Sequence, residues 1–169
     1  MQPLTIRPGQ REDIGPLDSL LARSYPRLLA GDYPPSVLVT AIPRISHAQP
    51  ALVTCGTYFV ALRDGVLVGG GGWTRSAPGQ RGTGPSHVGH VRHFATDVVA
   101  VRLGVGSALM TEVLRTAVGA GIRRLECLST RTAVPFYLSA GFTSVEAVEV
   151  PLAAAITFPA IRMHRKLDP

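Results

Sequence analysis

Lysine is nearly absent from this chain: arginine supplies 16 of its 17 basic residues, and Lys166 is the only lysine. The arginines are spread from Arg7 to Arg165, and only Arg123-Arg124 and Arg165-Lys166 stand side by side. A formal charge of +6 and a pI near 10.1 therefore come without the dense basic block that a nucleic-acid-binding surface needs. With abundant alanine and glycine, the arginine excess fits a bias toward GC-rich codons. Its diffuse positive potential would still attract a polyanionic cofactor. Cysteine is scarce too. Cys55 and Cys127 form neither a metal-ligand spacing nor a disulfide framework, so no metal is expected and a reducing cytoplasm is the expected compartment. No apolar run reaches the roughly 18 residues that would suggest a membrane span. Met1 to Arg7 lacks a charged-then-apolar secretion pattern. Charged residues amount to only 17% against 46% hydrophobic, which excludes general disorder, and 169 residues suit one domain, 1–169, with a substantial core.

Leu4 to Ile6 reads as a short strand halted by Pro8. Asp13 is placed to cap a helix carrying Pro16 in its first turn. Leu17, Leu20, Leu21, Tyr25 and Leu28 follow helical spacing, with Pro26 expected to kink or end that helix. A second helix is expected from about Pro35 to Ile42, then irregular chain from Ile45 to Gly56. Tyr58 to Arg63 and Val66 to Gly69 flank Asp64-Gly65, a two-residue turn in which both central residues need positive φ. Gly69 to Gly72 then form a run that predicts a bulge or a close backbone approach, ending at Trp73. Thr74 to Ser86 is rich in Gly, Pro and polar residues and reads as a surface loop. A strand from His90 to Thr96 follows, then a helix from about Val105 to Val118, a strand to Ser129, a short helix, and closing strands Val145–Val150 and Ile156–Leu167. This order predicts an α/β (α+β) chain with one mixed sheet flanked by helices.

Two segments carry the chemistry. Arg102-Leu103-Gly104-Val105-Gly106-Ser107 lies between that strand and an apolar helix. The first N–H groups of a helix have no internal partners and sit at the positive end of its dipole, which suits an anion, and glycine lets a phosphate reach them. Further on, Thr132-Ala133-Val134-Pro135-Phe136-Tyr137-Leu138-Ser139-Ala140-Gly141-Phe142 reads as a short helix ended by glycine. In this order and at this separation the two segments resemble the GNAT superfamily of N-acetyltransferases. The resemblance implies a mostly antiparallel central sheet and acetyl-CoA as cosubstrate, with its pyrophosphate on Arg102 to Ser107. It implies main-chain pairing of the pantetheine arm with Phe94, Ala95 and Thr96, and further cofactor contacts from Thr132 and Phe136. Val101 stands where the family usually has Gln or Arg, so Arg102 is expected to supply a phosphate contact.

By the same resemblance Tyr137 is the candidate acid for the departing thiolate. The alternative for it is a core aromatic with its phenol bonded to backbone. His87, His90 and His93 do not converge on one ion if their segment is a strand. His93 is the preferred candidate base for the acceptor amine, with His90 and Asp97 as competitors. Cys127 reads as a small core residue. Trp73, Tyr25 and Tyr33 are candidates for an acceptor pocket. The implied activity is acetyl transfer to a small-molecule or peptide amine, with a non-catalytic acyl-CoA sensor as the alternative. Neither a nucleic-acid nor a membrane partner is expected, and the resemblance leaves room for a homodimer through the closing strands.

Overall fold

The computed structural model describes residues 2–169. One seven-stranded sheet runs through it, built from β1 (Thr5–Pro8), β2 (Tyr58–Arg63), β3 (Val66–Thr74), β4 (Val88–Thr96), β5 (Arg124–Ser129), β6 (Thr143–Ala153) and β7 (Ile156–Lys166). Their spatial order is β1-β2-β3-β4-β5-β7-β6. Every neighbouring pair is antiparallel except β4 and β5, which run parallel. A parallel pair needs a crossover, and α4 (Val105–Gly119) provides it. Leu109, Met110, Val113 and Ala117 of α4 pack with Trp73, Leu125 and Met163 on one face of the sheet. On the other face, Leu17, Leu20 and Leu21 of α1 (Ile14–Leu29) are fully buried against Tyr58, Val60 and Ala95. Each such leucine contributes roughly 1.5–3 kcal/mol by leaving water. A third cluster joins Ala41 of α2 (Pro35–Ile45) and Tyr33 to Phe158 of β7.

Local chemistry explains most of these elements. At the β2–β3 turn both Asp64 (φ 53°) and Gly65 (φ 75°) take the left-handed conformation that a type I′ hairpin requires. Pro26 does not end α1, which continues to Leu29. It sits on the exposed side of the helix above exposed Ala22, whose freed carbonyl can meet water. Asp13 does not cap α1 either. Its carboxylate accepts from the Gln10 amide at 2.7 Å and pairs with Arg7 at 2.7 Å, tying β1 to the helix start. The stretch expected to be irregular contains a one-turn helix, α3 (Pro50–Val53).

The glycine run meets one half of its expectation, the close backbone approach. A side chain on Gly72 would lie 2.4 Å from the Thr57 carbonyl oxygen, and one on Gly71 2.5 Å from the Phe94 ring. The bulge falls on the facing strand. Gly70 pairs with Ala95 and Gly72 with Arg92, so His93 and Phe94 together stand opposite Gly71. His93 absorbs the extra residue with φ 49°.

Candidate active site

β4 and β5 pair through only three residues each, Val88–His90 with Arg124–Glu126. Beyond them the strands separate. The Asp97 amide donates to the Val68 carbonyl at 2.9 Å, and Ala95 is in register with Gly70, so these residues turn their main-chain groups toward β3. By strand alternation, Phe94 and Thr96 turn theirs toward the gap, where β5 no longer pairs with β4. Of the three residues expected to offer main-chain groups there, Phe94 and Thr96 are so oriented and Ala95 is not.

The chain leaves β4 through a 3-10 turn, Val98–Ala100. Asp97 braces this turn by accepting from the Val99 amide at 3.3 Å, while the Ser24 hydroxyl accepts from the Val98 amide at 3.0 Å. Arg23 donates twice to Asp97, at 3.2 and 2.5 Å. Burial alone would raise the Asp97 pKa, but these hydrogen bonds and the Arg23 charge hold it below the usual carboxylate value. Asp97 is thus engaged in structure and withdraws as a base.

Arg102 (φ 61°) and Gly104 (φ 81°) then turn the chain into α4. No side chain caps this helix, so the amides of Val105, Gly106 and Ser107 are without a capping acceptor among the described residues. Arg102 and Leu103 are exposed at its mouth. The Leu103 carbonyl accepts from Arg63 Nη2 at 3.5 Å, and the buried Arg63 Nε has no partner among the described residues. Arg63 escapes a sequence reading because it lies on β2, forty positions before the loop it touches.

Gly106 packs so tightly on α5 (Val134–Ser139) that a side chain there would lie 2.9 Å from the Phe136 ring. Phe136 meets Tyr137 edge-on at 5.1 Å between ring centres, and Tyr137 meets Phe142 at 5.4 Å and Phe94 at 6.2 Å. The Tyr137 ring is buried in this cluster, yet no described residue hydrogen-bonds its hydroxyl, and the residue lines a cleft at the β4–β5 gap. Burial pushes its pKa well above the ordinary phenol value, so the hydroxyl keeps its proton. Thr132 is held by the nearby α1–α2 loop, its hydroxyl donating to Asp32 at 2.7 Å.

The cleft encloses about 340 Å³, the size of a small-molecule site. Its walls include Tyr25, Ile45, Arg92, His93, Cys127 and Tyr137. His93 Nε2 lies 3.1 Å from the Ile45 carbonyl oxygen. A carbonyl only accepts, so Nε2 carries the hydrogen, and neutral His93 keeps a free lone pair on Nδ1. Burial lowers its pKa, outweighing the Ile45 hydrogen bond that would raise it. On the far side of its backbone, the His93 carbonyl accepts from the Tyr58 hydroxyl at 3.0 Å. His90 lines an adjoining cavity instead, 3.9 Å from Glu126. Cys127 reaches the cleft, but burial raises its pKa to about 12 and keeps it a thiol. Two expected pocket residues lie outside. Trp73 is buried beneath α4 with its indole N–H donating to Thr116, and Tyr33 stacks on Phe158 while donating to the Pro159 carbonyl.

The chain thus carries an uncapped helix start, an open strand edge and, in the cleft beside that edge, a tyrosine. The acetyltransferase (GNAT) family model matches residues 22–142, which span all three. The chain belongs to the GNAT acetyltransferase family. Solved GNAT structures share its fold. A GCN5-related N-acetyltransferase from Rhodopseudomonas palustris superposes with a TM-score of 0.79 at 21% identity, over 99% of this chain and 98% of that one. The PaiA N-acetyltransferase of Thermoplasma acidophilum, solved with coenzyme A, gives 0.71 at 15% identity, over 98% and 99%. N-acetylglutamate synthase of Neisseria gonorrhoeae, solved with coenzyme A and N-acetyl-glutamate, gives 0.65 at 20% identity, over all of this chain and 36% of that one. No curated protein sequence matches this chain. Acetyl-CoA, the GNAT cosubstrate, fits the residues present: the α4 amides suit its pyrophosphate, and the Phe94 and Thr96 main chain suits the amides of its pantetheine arm. No helix among the described residues is long and apolar enough to cross a membrane.

Proposed function

We propose that this GNAT enzyme, acting as one domain over residues 1–169, transfers the acetyl group of acetyl-CoA directly to the amine of a small-molecule or peptide acceptor. The observation that carries the reading is the pairing, in one cleft, of a neutral histidine with a free Nδ1 and a protonated tyrosine hydroxyl. Acetyl-CoA supplies the activated acyl group. The amides of Val105, Gly106 and Ser107 bind its phosphates, Arg102 and Arg63 add positive charge beside them, and Phe94 and Thr96 hold its arm in extended pairing. Phe136 shapes the wall along which that arm lies.

His93 Nδ1 takes the proton from the attacking amine, which forms the new C–N bond as the C–S bond breaks. Tyr137 steadies the leaving sulfur. A buried phenol is a weaker acid than a free thiol, whose reference pKa is about 8.5, so Tyr137 acts chiefly by donating a hydrogen bond to the thiolate. His93 then gives that proton to the coenzyme A thiolate or to solvent, so that the products are the N-acetylated amine and coenzyme A thiol and the imidazole is neutral again. Amine-dependent release of free thiol from acetyl-CoA, measured across an amine library, tests this reading. Tight coenzyme A binding with no amine-dependent thiol release would favour the sensor alternative.

A further inference from the structure

Arg92 lines the same cleft as His93, although neighbours along a strand ordinarily face opposite ways. The bulge at His93 permits it by breaking the alternation. Arg92 is half-buried, and burial pushes its pKa down because its charge is poorly solvated. Its hydrogen-bond partners are neutral: Nη1 donates to the Thr74 hydroxyl at 3.0 Å and Nη2 to the Gln49 side-chain oxygen at 3.5 Å. By contrast Arg7, Arg23, Arg115, Arg124 and Arg162 each lie within 2.9 Å of a carboxylate oxygen. Among the described residues no Asp or Glu lines the cleft, whereas Arg44 and His47 line it with Arg92. Apolar Val150, Leu152 and Phe158 also line the cleft.

We infer that the acceptor amine carries an oxyanion group, carboxylate or phosphate, and that Arg92 binds it while His93 faces the amine. This rests on the transfer reading above and narrows its substrate class. Thr74 and Gln49 orient the guanidinium from behind and leave further N–H donors for a two-pronged contact with an oxyanion. A half-buried cation without a counter-charge costs free energy, and an anionic ligand offsets that cost. A polyamine would place its second cation against Arg92 and Arg44 with no carboxylate to receive it, so the same wall disfavours di-cationic acceptors.

The test compares glycine with glycinamide, an aminoalkyl phosphate and a short diamine, each supplied at equal concentration of unprotonated amine. Thiol release gives kcat/KM, and melting of the protein–coenzyme A complex with each compound gives binding without turnover. The expected result is a preference of about tenfold to a hundredfold for an oxyanion-bearing amine over its neutral partner. The carboxylate and phosphate arms identify which oxyanion is read. Arg92→Gln should collapse the ratio toward one, mainly through KM, and Arg92→Lys should keep part of it. Equal kcat/KM for charged and neutral amines in the wild type overturns the inference, as does an unchanged ratio in Arg92→Gln. If coenzyme A binds but neither these amines nor the wider amine library releases thiol, the transfer reading fails. The inference then stands only if oxyanion compounds alone stabilise the wild-type complex, and falls if they do not.

Discussion

At His93 opposing influences meet on one imidazole. Burial and the charge of Arg92 lower its pKa, while the Ile45 carbonyl and Asp18 raise it, and burial prevails. The acid limb of kcat/KM should therefore fall below the ordinary histidine value of about 6.5, with activity held into mildly acid solution. His93→Gln should lower turnover by about 10²–10⁴-fold with coenzyme A affinity retained, and the acid limb should disappear. Stability carries the same sign. Below about pH 6.5 the unfolded chain takes a proton that the folded one refuses, so stability falls as pH drops toward the folded pKa, and His93→Gln should flatten that slope. Tyr137→Phe keeps the ring cluster and removes only the hydroxyl, so melting and coenzyme A affinity should change little while turnover falls toward the lower end of that range. A fully active, folded Phe variant would take Tyr137 out of the chemistry. Tyr137 and the glycine loop were legible in the sequence because each lies in a contiguous motif. Arg63 and Arg92 were not, since what marks them is a neighbour, or a missing counter-charge, that only folding supplies.

Among the elements, β4 owes its use to β3. The bulge that turns both Arg92 and His93 into the cleft is accommodated by a facing glycine, and Phe94 fills the space a Gly71 side chain would occupy. Gly71→Ala should push the Phe94 ring from its seat against Phe136 and Tyr137, costing about 1–3 kcal/mol of stability. Its kcat/KM should fall by more than the folded fraction does, measured by chemical denaturation alongside kinetics. A variant with lost stability but normal activity per folded molecule would separate the bulge from the site. The Asp64-Gly65 hairpin, the glycine run and α4 were readable because turn chemistry and helical periodicity are local. The passage of α1 through Pro26 was not, because it depends on which side of the helix faces water. Trp73 misled for a related reason: its indole can be half-exposed in a pocket or satisfied in the core, and the Thr116 hydroxyl that decides the matter arrives from a distant helix.

Over the whole molecule, the sheet falls into two parts, β1 to β4 and β5 with β7 and β6, joined along the strands by three parallel residue pairs. An extended ligand lying in the gap would replace the ladder that β4 and β5 leave unmade and would reach the uncapped start of α4. Coenzyme A at ~100 times its Kd should therefore stabilise the fold by roughly 2.7 kcal/mol. For a chain of this length that corresponds to a rise in melting temperature of roughly 5–10 °C. The location of the effect is the sharper expectation. Amide hydrogen exchange should slow at Phe94 and Thr96 on the open edge and at Val105, Gly106 and Ser107 at the helix start, while Ala95, already paired with Gly70, changes little. Gly106→Val should abolish most of this protection, because its side chain would strike the Phe136 ring and displace α5 from the helix start. A thermal shift accompanied by protection at α4 alone would mean that only the phosphates are held and that the gap between β4 and β5 is not the path of the pantetheine arm.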